Sequence, residues 1–165
     1  MTNDNIANIV ETIVKEVSQK ASQKASVSSI NLCMAKRLIA KVEEKAKEMG
    51  LSVVVAVSDS AGNPVAVECM DNSYIASYDI AVKKAYTVVA LKMSTLTLKN
   101  LSQPGQSLYG IQFTNDGKLV IFGGGNPLIY NSNIIGGIGV SGGSEEQDIE
   151  LSEYGAKCLD KIINS

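Results

Sequence analysis

Histidine is absent from the 165-residue chain, so any chemistry must use carboxylates, lysine, tyrosine, thiols or backbone amides. This absence excludes Ser-His-Asp and Cys-His catalysis and zinc sites built on histidine. Asp71 and Lys84 are the polar side chains that we expect to take part in binding or catalysis, since Ala85 is small and leaves room beside Lys84. The alternatives are a turn-forming aspartate and a solvated lysine. No metal site is predicted.

Glycine is concentrated in one region, because eight of the fourteen glycines lie between Gly123 and Gly143. They alternate with apolar and β-branched residues that are typical of short strands. Glycine weakens a strand, so this density indicates a surface that another backbone or a flat ligand approaches closely. We therefore predict a binding floor lined by main-chain atoms. Its predicted residues, beside Asp71 and Lys84, are Phe122, Gly123, Gly124, Gly125, Asn126, Ser141 and Gly142.

The segment Gly137–Gly142 matches the G-x-G-x-x-G pattern of dinucleotide-binding folds. Such folds need further βα units after the motif, whereas only one helix follows here. A glycine-rich turn before a helix could still bind an anionic group through backbone N–H groups. Glu145, Glu146 and Asp148 argue against a strongly charged anion, and a tight turn without a ligand is the alternative.

Composition excludes several classes of function. The formal net charge of −2 does not favour nucleic acid, and no apolar run of 18 residues predicts a membrane helix. The three cysteines, Cys33, Cys69 and Cys158, form no C-x-x-C pair and are expected to be free thiols in a reducing cytosol. Cys69 is predicted to be a buried strand thiol rather than a nucleophile.

The first 20 residues predict a short amphipathic helix that docks on another surface. Its apolar residues share one helical face, namely Ile6, Ile9, Val10, Ile13, Val14 and Val17. A helix of this length is not stable alone in water, so it must bury that face against its own domain, a neighbouring subunit or another protein. Residues 21–29 are polar and predict a linker, and residues 30–165 predict one domain.

The rest of the chain predicts an α+β fold with an antiparallel sheet, because its strand pairs are joined by hairpin turns. A helix over Ile30–Met49 begins at Ser28 or Ser29, buries Leu32 and ends at Gly50. The last helix begins at a capping box formed by Ser144 and Gln147. The elements between them are the strands Leu51–Ser58 and Val65–Cys69, a helix over Tyr74–Val89, a short helix within Leu91–Leu101, and strands at Gln112–Phe113, Leu119–Phe122, Leu128–Tyr130 and Ile134–Val140.

Four ordered motifs resemble those of the GlcG/HbpS family, which includes the C-terminal domain of PduO-type cobalamin adenosyltransferases. They are Val54–Asp71, Ala81–Thr87, Phe122–Pro127 and Ile135–Gly143. The resemblance implies a profilin-like fold with a five-stranded antiparallel sheet in the order α-β2-α-β3-α. It also implies homo-oligomers, often octamers, and the binding or slow degradation of haem.

The chain departs from the family at two points that matter for haem. Cys69 stands where many members have arginine, and no histidine can ligate iron. Haem binding would then use tyrosine, methionine, cysteine or lysine, or an apolar cleft alone. The N-terminal adenosyltransferase domain of PduO-type proteins has no counterpart, so ATP-dependent adenosylation is not expected. The first 20 residues resemble the encapsulation peptides that direct enzymes into bacterial microcompartments, which makes a shell protein the expected partner.

Three functions are compatible with these features. The first is an oligomeric module that binds haem or another small ligand. The second is an accessory enzyme of corrinoid metabolism or haem degradation, with Lys84 and Asp71 as polar participants. The third is a structural oligomer whose glycine region is only a subunit interface.

Overall fold

The computed structural model describes residues 11–16 and 27–165. Residues 11–16 are helical (α1), and the remaining helices and strands form one α+β unit. In chain order these are α2 (Leu32–Glu48), β1 (Val54–Asp59), β2 (Pro64–Cys69), α3 (Ile75–Ala90), α4 (Thr95–Leu101), β3 (Gly125–Tyr130), β4 (Asn133–Ser141) and α5 (Glu145–Ile163). Two short 3₁₀ helices, Ile111–Phe113 and Asn115–Gly117, lie between α4 and β3.

The four strands form an antiparallel sheet in the order β2-β1-β4-β3. Side chains alternate between the two faces of a strand, and β1 is buried on both. Its residues Val55 and Val57 join the core beneath α2 and α5, whereas Val54 and Ala56 pack with Ala81 and Ala85 of α3. The sheet is therefore a central layer between α2 and α5 on one face and α3 on the other.

The predicted five-stranded sheet is wrong for the described residues, which contain four strands. Leu119 and Val120 are buried as expected, but the Val120 N–H donates to the Thr87 hydroxyl at 3.0 Å instead of pairing with another strand. Gln112 and Phe113 lie in a 3₁₀ helix. Lys118 and Val120 consequently contact Thr87 of α3 instead of extending the sheet.

Helix α2 begins later than the sequence analysis predicts. Asn31, and neither Ser28 nor Ser29, is the N-cap, and its side chain accepts a hydrogen bond from the Met34 N–H at 2.9 Å. The Ile30 N–H donates to the Ile135 carbonyl oxygen at 2.8 Å, so the residue before the N-cap is bonded to β4. Leu32, predicted to lie in the core, is exposed. The left-handed stop at Gly50, with φ of 69°, is confirmed.

The predicted docking helix is only partly described. Ile13 and Val14 lie in α1 and are exposed, while Ile6, Ile9, Val10 and Val17 lie outside the described residues. Val27 packs against the core. The targeting role of residues 1–20 and the linker at 21–29 stay predictions. Across the described ranges, no helix has the length and apolar character needed to cross a membrane.

Candidate functional site

The glycine-rich strand β4 is covered by helix α3 of the same chain. A Cβ atom added to Gly137 would lie 2.4 Å from the Ala85 carbonyl oxygen, and one added to Gly139 would lie 2.1 Å from the Ala81 carbonyl oxygen. Both distances are far below van der Waals contact, so glycine is required for the helix to pack this closely. The close approach was predicted for a backbone or a flat ligand, and at Gly137 and Gly139 the structure shows a helix backbone.

Lys84 lies on the sheet-facing side of α3 and is completely buried, so the alternative of a solvated lysine is wrong. Its Nζ donates to the Val140 carbonyl oxygen at 2.7 Å and to Asp148 Oδ2 at 2.8 Å. The ring centroid of Phe122 lies 4.9 Å from the same nitrogen. The three N–H groups of an ammonium thus have two oxygen acceptors and an aromatic face as partners, which favours a charged, structural lysine.

Burial sets the protonation energetics of this ion pair. It lowers the pKa of Lys84, and the attraction of Asp148 opposes that change. It also raises the pKa of Asp148, opposed by the charge and hydrogen bond of Lys84 and by the N–H groups of Gly143 and Gly142. Each charge is therefore tolerated in the interior only because the other is present.

The loop before β3 closes around this ion pair. A Cβ at Gly124 would lie 2.6 Å from Lys84 Nζ, so only glycine leaves room for the ammonium. The Gly123 N–H donates to Glu145 Oε1 at 2.7 Å, and the Gly125 N–H donates to the Thr95 hydroxyl at 2.9 Å. The structure thus brings Phe122, Gly124 and Gly125 together at Lys84, while Gly123 is bonded to Glu145.

The turn from β4 into α5 binds a carboxylate of its own chain. The Gly143 N–H donates to Asp148 Oδ1 at 3.0 Å, so Asp148 takes the place suggested for an anionic ligand. The capping box of Ser144 and Gln147 is confirmed. Ser141 is buried and its hydroxyl pairs with that of Ser77 at 3.1 Å. The side-chain amide of Asn126 donates a hydrogen bond to the Ser152 hydroxyl of α5 at 2.9 Å.

Glu145 makes the stability of this loop dependent on pH. Its hydrogen bond from Gly123 and its contact with Lys99 hold its pKa below the ordinary value of 4.5. A lowered pKa means that the carboxylate stabilises the fold above pH 4.5 and that this contribution is lost as the pH falls through the folded-state value. We expect Glu145→Gln to remove roughly 1 kcal/mol at neutral pH and progressively less below pH 4.5.

Denaturant unfolding of both proteins between pH 3 and pH 7 measures this difference. Glu150→Gln changes an exposed carboxylate of the same helix and serves as the control. A difference between Glu145→Gln and the unsubstituted chain that stays constant down to pH 3 would contradict the assignment.

A cavity of about 510 Å³ lies beside the C-terminal ends of α2 and β2. We call it the sheet-end cavity. It brings together residues far apart in sequence, including Glu43, Lys47, Leu51, Ser52, Cys69 and Asp71. Asp71 is the only residue of the predicted site that lines it. The prediction that Cys69 is buried is wrong: this thiol is exposed because Cys69 is the last residue of edge strand β2.

The sheet-end cavity and the buried ion pair are connected through the β4–α5 turn. A Cβ at Gly142 would lie 2.6 Å from the Ser52 carbonyl oxygen, and one at Gly143 would lie 3.4 Å from Leu51. Gly143 is bonded to Asp148, which is paired with Lys84. The ion pair therefore holds the turn that backs the cavity wall.

Side chains of both charges line the sheet-end cavity, namely Glu43, Asp71 and Lys47. Burial raises the pKa of Glu43, repulsion by Glu68 raises it further, and Lys47 opposes both. Met70 contributes a sulfur atom that accepts a hydrogen bond from the Val53 N–H at 3.4 Å. Sequence reasoning missed Glu43 and Lys47, because polar positions on α2 carry no signal that they meet the end of β2.

Comparison with known proteins gives a consistent result over most of the chain. Residues 30–157 match the family described as "Haem degrading protein HbpS-like". The chain is 43% identical to the protein ORFY of Klebsiella pneumoniae, whose crystal structure superposes with a TM-score of 0.78 over 79% of this chain and 90% of that one. It is 35% identical to PduOC, which was solved as a haem complex, with a TM-score of 0.75 over 78% of this chain and 94% of that one.

In one longer relative, only part of the protein is similar to this chain. The corrinoid adenosyltransferase PduO of Salmonella typhimurium is 40% identical over 110 residues, which cover 67% of this chain. The same match spans 33% of the length of PduO. The similarity thus concerns one domain of that protein.

Proposed function

The chain belongs to the HbpS-like family, and we propose that it is a haem-binding protein. One observation carries the proposal: PduOC, which is similar to this chain over 94% of its own length, was crystallised with haem. The proposal concerns the domain alone. We extend neither adenosyltransferase activity nor the partners of the longer relatives to this chain.

We place the haem in the sheet-end cavity. Its volume falls within the range of roughly 300–1,000 Å³ that is typical of small-molecule sites. Cys69 and Met70 are among the lining residues, and sulfur is a common axial ligand of haem iron. Lys47 supplies a positive charge for a propionate, while the carboxylates of Glu43 and Asp71 direct the propionates away from their side of the cavity. When bound, haem would supply its iron and its redox chemistry, while these residues bind and orient it.

The glycine region has a supporting role in this proposal. Its residues fix α3 against the sheet and hold the turn behind the cavity wall. Three large apolar side chains are exposed where α3 begins, namely Tyr74, Ile75 and Tyr78. We propose that this patch is covered in a homo-oligomer, since a surface of three adjacent large apolar side chains favours association.

A substitution that fills the sheet-end cavity should weaken haem binding. Ser52→Trp places an indole in the cavity, and we expect its haem affinity to be at least about tenfold lower than that of the unsubstituted chain. Absorbance titration with ferric haem measures both affinities. Asn133→Trp is the matched control, because Asn133 is exposed and lines a separate groove of about 400 Å³.

Two outcomes would count against this function. If the unsubstituted chain produces no stoichiometric Soret change, the chain is not a haem-binding protein. If Ser52→Trp and Asn133→Trp bind haem equally well, haem binds outside the sheet-end cavity.

Haem degradation is the second candidate, because the family description names that activity. Loss of the Soret band in the presence of oxygen and a reductant, with release of iron, would support it. A bound haem that persists under the same conditions would restrict the chain to binding.

A further inference from the structure

Strand β2 forms an open edge of the sheet, because among the described residues it pairs with β1 alone. The Met70 N–H donates to the Val53 carbonyl oxygen at 3.0 Å, toward β1. Main-chain groups of successive residues in an antiparallel strand point to opposite sides, so those of Val67 and Cys69 point away from β1. The strand has no lysine, and its one proline is the first residue, so it lacks the features that usually block edge pairing.

The exposed side chains Tyr74, Ile75 and Tyr78 lie next to this edge. Tyr78, Val82 and Tyr86 are spaced by four residues and therefore share one side of α3. Val82 packs against the same buried cluster as Val67 of β2. A Cβ atom at Gly62, in the turn between β1 and β2, would lie 3.1 Å from the Tyr86 ring. This side of α3 consequently runs along β2.

We propose that β2 pairs antiparallel with β2 of a second copy of this chain, so that the two sheets join into one of eight strands. The inference rests on the homo-oligomer proposed above and goes beyond it, since it names the strand, the register and the symmetry axis. Antiparallel neighbours in one sheet are related by a two-fold axis perpendicular to that sheet. This axis places both α3 helices on the same face, where their exposed patches meet.

Surface area and charge favour a second copy as the occupant. Tyr74, Ile75 and Tyr78 are 72%, 96% and 54% exposed. The patch thus offers roughly 400 Å², about half of the roughly 800 Å² that each partner buries in a standard interface, and the edge of β2 adds to it. Asp79 and Lys83 border the patch and are paired with each other at 2.8 Å, so no net charge there repels an identical surface.

The charge of Glu68 selects the register of the two strands. A pairing centred on Glu68 would place two carboxylates directly opposite each other, which is destabilising. A pairing centred on Val67 avoids this contact, and the outward N–H and carbonyl groups of the two Val67 residues then bond to each other. The start of β2 in the second copy would lie beside Cys69, which lines the sheet-end cavity.

A disulfide between the two copies tests this register. Residues that exchange both main-chain hydrogen bonds have Cα atoms about 5.5 Å apart, which a disulfide can span. Val67→Cys, in a chain whose three native cysteines are replaced by serine, should form a covalent dimer on mild oxidation. Asn133→Cys in the same background is the control, because Asn133 is exposed on β4, and it should stay monomeric on a denaturing gel.

Analytical ultracentrifugation tests the patch without relying on a cysteine. We expect Ile75→Glu to raise the dissociation constant of the oligomer at least about tenfold, because a charge would be buried between the two helices. Phe113→Glu changes another largely exposed apolar side chain, away from β2, and should leave the dissociation constant unchanged.

The outcomes separate this inference from the proposals on which it rests. An unsubstituted chain that sediments only as a monomer would overturn both the homo-oligomer and the pairing of β2, whereas haem binding is judged by its own titration. An oligomer in which Val67→Cys forms no disulfide, or in which Ile75→Glu and Phe113→Glu associate equally well, would overturn only the pairing. More efficient cross-linking by Glu68→Cys than by Val67→Cys would overturn the register.

Discussion

Replacement of Lys84 by methionine is expected to lower the free energy of unfolding by about 3–5 kcal/mol. Methionine fills a similar volume, so the loss comes from Asp148, whose carboxylate would stay buried without its counter-ion. The Val140 carbonyl oxygen would lose its bond from the amine as well. Urea unfolding at neutral pH, followed by circular dichroism, measures the change.

Lys83→Met is the matched control for this experiment. Lys83 is the adjacent residue on α3, and it pairs with Asp79 on the helix surface, where 68% of the Asp79 side chain is exposed. Such a pair contributes only about 0.3–0.5 kcal/mol. Equal losses in the two variants would show that the buried pair does not stabilise the fold. A double replacement of Lys84 and Asp148 by apolar residues should recover part of the loss, because no buried charge then remains.

Gly139→Ala is expected to cost about 3 kcal/mol or more, the upper end for an overpacked interior. The added methyl group would lie 2.1 Å from the Ala81 carbonyl oxygen and 2.7 Å from the Ala85 nitrogen. These are backbone atoms of α3, so no side-chain rotation can relieve the contact. The helix would have to move away from β4, and thermal unfolding would report the loss.

Gly110→Ala provides the comparison for Gly139. Gly110 has a φ of 88° and no heavy atom within 4 Å of an added Cβ, so its substitution costs only the backbone strain of about 1–2 kcal/mol. A similar loss of stability in both variants would mean that α3 does not rest on the glycines. In that case the glycine-rich face of β4 could bind a ligand in place of α3.

The sequence predicts local features of this fold well because their causes are local. The capping box at Ser144 and the left-handed stop at Gly50 each depend on a few neighbouring residues. The predicted hairpin strand at Leu119–Phe122 failed because Val120 gives its N–H to Thr87, a residue on another element. Apolar β-branched runs show that a segment is buried, but they do not show what its backbone pairs with.

The glycine region shows which part of the site could be predicted from the sequence. Its density correctly predicted a close approach to the main chain, but the sequence could not tell a helix from a ligand. Lys84 and Asp148 are 64 residues apart, and no spacing rule links them. The sheet-end cavity was missed for the same reason, because it exists only where the end of α2 meets the end of β2.

A crystal structure of the full chain with ferric haem would show where the haem binds. We predict that the porphyrin occupies the sheet-end cavity, with Lys47 and Met70 among the residues that contact it. Haem bound elsewhere, with that cavity empty, would contradict the account.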